Sequence, residues 1–237
     1  MSKHSKWAKV KNQKAVTDKK RGQAFTKIAR NITVAAREGG GDPSFNFKLR
    51  LAIDQAKAAN MPKDNVERAI AKGVGGGEGG ALKELVYEAF GPAGSAFIIL
   101  AYSDNVNRTA ADVKHILSKN SGSLAGQGAV IWQFQKLGVL RMAKDEKLKD
   151  KELELIDAGA EDIKYEDEGV TVFSKPENFQ KVKEIIDGLS ISIETAGIEY
   201  VAKSEVELSE EDESKADQLM EALDDYDDVS EVFTNIK

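Results

Sequence analysis

The sequence predicts an α+β protein of several domains, an N-terminal three-helix segment followed by two α/β units. Three observations predict it. Residues 1–72 place apolar side chains at helical spacing and carry 17 Lys and Arg against 6 Asp and Glu, a net of +11. Gly73 to Gly80 then holds six glycines in eight residues, a composition suited to a flexible linker. Beyond it strands alternate with helices, and the charge inverts to 17 basic against 34 acidic residues, a net of −17 that brings the whole chain to −6.

In the first segment, Phe25, Ile28, Ile32 and Ala35 form the apolar stripe of one helix, with Lys27, Arg30 and Arg37 away from it. Gly39-Gly40-Gly41 followed by Asp42-Pro43 should stop that helix. A second helix carries Leu49, Ala52, Ile53 and Ala56. A third begins near Pro62, with Asp64 and Glu67 favouring the helix dipole, and should end at Gly73. After the linker, Val86 to Phe90 and Ser95 to Tyr102 are strands joined by the Gly91-Pro92-Ala93-Gly94 turn. Thr109 to Lys119 is an amphipathic helix with Asn107 as its expected N-cap, and Val130 to Phe134 is a strand.

Leu137 to Met142, Lys151 to Ala158, Asp162 to Tyr165, Val170 to Phe173, Asn178 to Ile186 and Ile191 to Tyr200 spell β-α-β-β-α-β, the ferredoxin-like order. Glu205 to Leu208 (strand), Ala216 to Leu223 (helix) and Val229 to Phe233 (strand) would complete the unit begun at Val86. The expectation is therefore two ferredoxin-like α/β domains, one inserted in the other. The bounds are 1–80 for the basic helical domain with its arm and linker, 81–135 plus 204–237 for the discontinuous domain, and 136–203 for the insert.

Composition narrows the chemistry. With no cysteine there is no disulfide and no thiolate metal site or nucleophile, which fits a reducing compartment. The longest apolar run, Ala96 to Ala101, is strand-sized, and the N-terminus lacks the apolar stretch of a signal peptide, so a cytoplasmic location with no membrane contact is expected. Two histidines, His4 and His115, cannot supply a zinc site on their own. No carboxylate forms a readable acid–base pair, and no Ser-His-Asp set assembles. No catalytic residue, metal or cofactor is expected, and an enzyme is disfavoured.

The strongest chemical signal is the arm. His4, Ser5, Lys6, Trp7, Lys9 and Lys11 are followed by Lys14, Lys19, Lys20 and Arg21, and the first 30 residues hold ten cations and one acid. Ammonium groups neutralise phosphates, and an indole stacks on an unpaired base. Trp7 fits base contact and core packing equally, and His4 fits a phosphate contact or an inert surface position. With Lys27, Arg30 and Arg37, these residues are the candidate nucleic-acid contacts. A possible second surface is Asn105, Asn107 and Arg108, within a polar patch that helix capping also explains. The glycine clusters lack the phosphate-loop pattern and fit hinges better. The acidic stretches Glu205 to Glu213 and Asp224 to Asp228 would face solvent and repel nucleic acid.

At these residues the chain resembles the YebC family, which includes the mitochondrial translational activator of cytochrome oxidase. The resemblance rests on His4-Ser5-Lys6-Trp7, Lys20-Arg21-Gly22, Phe25-Thr26-Lys27, Ile32-Thr33-Val34-Ala35-Ala36-Arg37, Gly39-Gly40-Gly41-Asp42-Pro43 and Asn60-Met61-Pro62-Lys63-Asp64. It continues through Glu67-Arg68-Ala69-Ile70, Tyr87-Glu88, Gly91-Pro92 with Gly94, and Asp104-Asn105 with Asn107-Arg108-Thr109. Lys3 stands where a glycine is usual and Ser103 where a threonine is usual. The resemblance implies a helical domain and two α/β domains enclosing a cleft. It also implies either of two functions, described for different members: DNA-binding transcriptional regulation, or translation on the ribosome with relief of stalling at proline runs.

The favoured expectation is a monomeric RNA-binding translation factor whose arm and first helices hold ribosomal RNA or tRNA on the ribosome. The alternative is a transcriptional regulator on promoter DNA. Against it, no helix gathers the Arg, Asn and Gln side chains that read base edges, and there is no zinc finger or basic zipper.

Overall fold

A computed structural model of the chain describes residues 18–75, 82–167 and 169–237. These residues divide between two compact units. One is Gln135–Val201; the other runs to Phe134 and resumes at Ala202–Lys237.

The larger unit begins with α1 (Asp18–Gly39), α2 (Phe47–Ala58) and α3 (Lys63–Val74). The expected stripe holds: Phe25, Ile28, Ile32 and Ala35 pack with Leu49, Ala52, Ala56, Met61 and Ala69. Gly73 does not end α3, as the sequence suggested. It lies inside the helix, because a Cβ there would sit 2.5 Å from the Thr33 carbonyl oxygen of α1, so only glycine lets the two helices meet this closely. Of the linker expected over Gly73 to Gly80, Gly73 and Val74 are helical, and the stretch beyond Gly75 lies outside the described residues.

The same unit continues with β1 (Lys83–Phe90), β2 (Ala96–Ser103), α4 (Val106–Lys119) and β3 (Ser123–Leu124). The chain returns to it through α8 (Glu210–Asp224) and β8 (Val229–Thr234). The sheet order is β3-β1-β2-β8, antiparallel throughout. In this sheet the β1–β2 hairpin comes before α4, the first helix that packs on it from within the α/β part. Phe97, Ile99 and Ala101 alternate along β2 and bury against Val113 and Leu117 of α4 and Leu219 and Leu223 of α8. Burying each large side chain in this layer contributes roughly 1.5–3 kcal/mol. β2 is buried on its other face as well, and α1 touches β2 and β8.

The second unit holds β4 (Phe134–Met142), α5 (Glu146–Asp150), α6 (Glu152–Asp157), β5 (Ala160–Tyr165), β6 (Val170–Ser174), α7 (Phe179–Gly188) and β7 (Ile193–Ala202). Its order, β5-β6-β4-β7, is that of a β-α-β-β-α-β chain folded as a ferredoxin-like sheet. Arg141 of β4 and Glu199 of β7 form a bidentate pair at 2.7 and 3.0 Å on that sheet.

Local readings differ at three further places. Asn105, not Asn107, caps α4: its side chain accepts from the Arg108 backbone N–H, and the helix starts two residues before Asn107 would allow. Glu205 to Leu208 is not a full strand and contributes a single bridge, Val206 to Ile236. Val130 to Phe134 is not a separate strand. Ile131–Gln133 is a 3-10 turn running into β4, because the backbone N–H groups of Val130 and Ile131 are taken by the Glu88 carboxylate.

Candidate nucleic-acid interface

The predicted contacts His4, Ser5, Lys6, Trp7, Lys9, Lys11 and Lys14 lie outside the described residues. Lys19 falls in the first turn of α1, and its side chain is likewise not described. The remaining cations belong to α1, whose 22 residues span about 33 Å.

Lys20, Lys27, Arg30 and Asn31 fall at i, i+7, i+10 and i+11 and therefore share a face. That face meets the acidic end of the chain. Lys20 pairs with Glu221 at 3.5 Å, with both side chains largely in water. Lys27 donates to Asp224 Oδ1 at 2.8 Å and to the Asp224 carbonyl. Arg30 donates to the Asp227 carbonyl at 2.8 Å and to Asp228 Oδ1, while the Ser230 hydroxyl bonds the Asn31 side chain at 2.9 Å. Contacts tighten along the helix, from an exposed pair at Lys20 to a half-buried one at Arg30. Of the other α1 candidates, Arg21 is exposed, and Arg37 is half-buried with Nη1 enclosed and unbonded.

Asp228 is the centre of this contact. It is 4% exposed, and its second oxygen accepts from Arg108 Nη2 at 2.9 Å and from the Thr109 hydroxyl at 2.7 Å. Tyr226 donates its hydroxyl to Asp112 at 2.7 Å and comes within 3.2 Å of Asp228. Burial alone would raise the Asp228 pKa. The hydrogen bonds from Thr109, Arg108 and Arg30 outweigh it and hold the carboxyl well below the usual carboxylate range. Burial, the bond to Asp112 and the Asp228 charge all push the Tyr226 hydroxyl up. One buried carboxylate thus ties α1, α4 and β8 together.

The proposed second surface is part of the same arrangement. Asn105 is spent on the α4 cap, and Arg108 divides its guanidinium between Asp228 and Asp104. Asn107 is exposed. The sequence reading missed Glu88, which lies on β1 and is 5% exposed. Its carboxylate accepts three backbone N–H groups, from Gly128 at 2.6 Å, Val130 at 2.6 Å and Ile131 at 2.8 Å. Burial raises its pKa, but these three bonds together bring it below the ordinary value. The pinned loop presents Trp132, 65% exposed, beside a groove of about 550 Å³ lined by Val86, Leu124, Gln127 and Ile131. Among the described residues no His, Cys, Asp and Glu cluster could hold a metal, and no helix is long and apolar enough to cross a membrane.

A cation-rich helical module tied by Asp228 to one of two antiparallel-sheet units defines a multidomain α+β protein. The chain belongs to the TACO1/YebC family. The family model described as the TACO1/YebC protein N-terminal domain matches residues 5–76, and that of the TACO1/YebC second and third domain matches residues 82–236. A probable transcriptional regulatory protein of Thermoanaerobacter pseudethanolicus is 44% identical over 239 residues, covering 100% of this chain and 97% of the relative. Another from Pseudothermotoga lettingae is 46% identical over 239 residues, covering 100% and 94%. The crystal structure of a conserved hypothetical protein, Aq1575 from Aquifex aeolicus, superposes with a TM-score of 0.88 at 40% identity, covering 98% of this chain and 97% of that one.

Proposed function

We propose that the chain is a nucleic-acid-binding regulator of gene expression rather than an enzyme, and that it acts in the cytoplasm as an RNA-binding translation factor on the ribosome. The observation that carries this reading is the charge split: 17 cations against 6 acids in residues 1–72, within a chain whose remainder is net −17. Cations concentrated on one domain neutralise phosphates and release counterions, while the acidic remainder is repelled and orients the molecule basic end inward. RNA is favoured over duplex DNA because the arm is rich in lysine and poor in base-reading side chains, which suits backbone and shape recognition. Lys27 and Arg30 already hold carboxylates, so the binding energy falls on the arm and on exposed cations such as Arg21.

Transcriptional regulation on DNA is the second reading, supported by the names carried by the relatives. One experiment tests both: crosslinking in cells followed by sequencing of the bound nucleic acid. Ribosomal RNA or tRNA recovered at a defined locus supports the translation factor, and promoter DNA supports the regulator. In solution, replacing Lys6, Lys9 and Lys11 by Glu weakens binding to all sequences alike if phosphates are the target. An affinity independent of salt would remove the electrostatic basis of both readings.

A further inference from the structure

We propose that Phe45 is a stacking platform for an unpaired nucleobase of RNA. This inference rests on reading the helical domain as a nucleic-acid binder. Phe45 occupies the connection between α1 and α2 and is 89% exposed, the highest value among the large hydrophobic side chains described as exposed. Scattered exposed apolar residues are common on protein surfaces, so exposure alone decides nothing. Two further observations do.

The first is that the ring is held out by a built loop. Asn46, itself buried, donates Nδ2 to the carbonyls of Ala35 at 2.7 Å and Gly40 at 2.8 Å, and accepts the Leu49 N–H at 3.0 Å. Asp42 accepts the Ser44 N–H through its side chain at 2.8 Å and the Phe45 N–H through its carbonyl at 3.2 Å. Arg50 braces the other side, donating to the carbonyls of Pro43 at 3.1 Å and Ser44 at 3.3 Å. With the backbone fixed before and after it, Phe45 meets a ligand with little further ordering cost.

The second is the charge of the domain that carries it. Leu153 and Ile156, also highly exposed, sit in the acidic remainder of the chain. Phe45 sits in the domain of net +11, and of its own sequence neighbours Lys48 is paired with Glu38 at 2.8 Å and Arg50 is spent on the loop carbonyls, so the phosphate contacts fall to the other cations of that domain. An exposed aromatic ring carried on a cation-rich domain suits a base whose phosphates that domain neutralises, and it suits an apolar protein surface poorly. Phenylalanine has no polar atom with which to read a base edge, so the contact stacks on any base.

The test uses the full chain with a single-stranded oligoadenylate RNA and an RNA duplex of equal length. Phe45→Ala is expected to weaken single-strand binding roughly 5- to 100-fold, leaving duplex binding and the unfolding midpoint unchanged, and Phe45→Tyr to restore it. Phe45→Trp should add an emission that oligoadenylate quenches beyond any change in Trp7 and Trp132 of the parent. Unchanged single-strand affinity in Phe45→Ala, with binding lost in the Lys6, Lys9 and Lys11 to Glu variant, overturns this inference and leaves the cationic reading standing. Equal losses on single strand and duplex also overturn it. No binding by the parent chain to either RNA removes the reading beneath it.

Discussion

Two buried carboxylates in the larger unit solve the same problem by different means. Asp228 is met by side chains, the guanidinium groups of Arg30 and Arg108 and the hydroxyl of Thr109, drawn from two helices. Glu88 is met by the backbone alone, three N–H groups of one short loop. A tie made of side chains joins distant parts of the chain and can be dismantled by substituting any partner. A tie to backbone shapes a loop and can be removed only at the carboxylate. The first holds the basic helix to the sheet, and the second fixes the turn that carries Trp132.

The largest effect is expected from Asp228→Ala. Removing one member of a buried ionic group costs about 3–5 kcal/mol when the charges left behind are sealed from water. Arg30 and Arg108 retain access to solvent, so the loss should be smaller, about 2–3 kcal/mol, in urea unfolding at neutral pH. A loss below about 1 kcal/mol would show that the contact does not organise the domain junction. Glu88→Gln comes next. Its amide must turn one N–H toward a backbone N–H that formerly met an oxygen, leaving a donor unsatisfied at about 1–2 kcal/mol. Hydrogen exchange should then rise at Gly128, Val130 and Ile131. If those amides stay protected, the carboxylate is not what fixes the loop.

Both carboxyls titrate below their ordinary values in the fold, so both favour the folded state once the unfolded chain has ionised. That stability is complete above roughly pH 5, where the carboxylates of the unfolded chain are fully charged, and is lost as pH falls through the lower folded values. The urea midpoint should therefore hold between neutral pH and about 5 and drop below about 4. In Asp228→Asn the drop should be shallower, since one of the two depressed groups is gone. An equally steep drop would place the acid sensitivity elsewhere.

These contacts also mark where sequence reading stops. The stripe Phe25, Ile28, Ile32 and Ala35 and the β-α-β-β-α-β order are legible because periodicity is a local signal. Lys27 and Arg30 were legible as cations but not as internal partners, since their carboxylates come 197 and 198 residues later. Glu88 looks like one more polar position in an alternating strand; only the loop at Gly128 to Ile131 makes it a core residue. Asn105 and Asn107 are equivalent as caps in composition, and the Ser103 hydroxyl, which accepts the Asn105 N–H at 3.0 Å, helps fix the turn that selects the first. Gly73 carries no local mark that separates a helix end from a helix crossing, and the distinction appears only with Thr33 packed against it.

The smallest effect on stability is expected at Lys20, and it separates the two uses of α1. Lys20 and Glu221 are 58% and 68% exposed and 3.5 Å apart, so Lys20→Ala should cost no more than about 0.5 kcal/mol. Lys27 is 12% exposed and bound to both the side chain and the carbonyl of Asp224. If α1 joins the arm in holding RNA, the loosely held cation is the one free to exchange its carboxylate for a phosphate. Lys20→Ala should then flatten the dependence of log affinity for single-stranded RNA on log salt by about 0.7, the share of one phosphate. Lys27→Ala should destabilise the fold more and leave that slope unchanged. The reverse pattern would mean that Lys27 leaves Asp224 when RNA binds, and that the acidic end of the chain competes directly with the ligand.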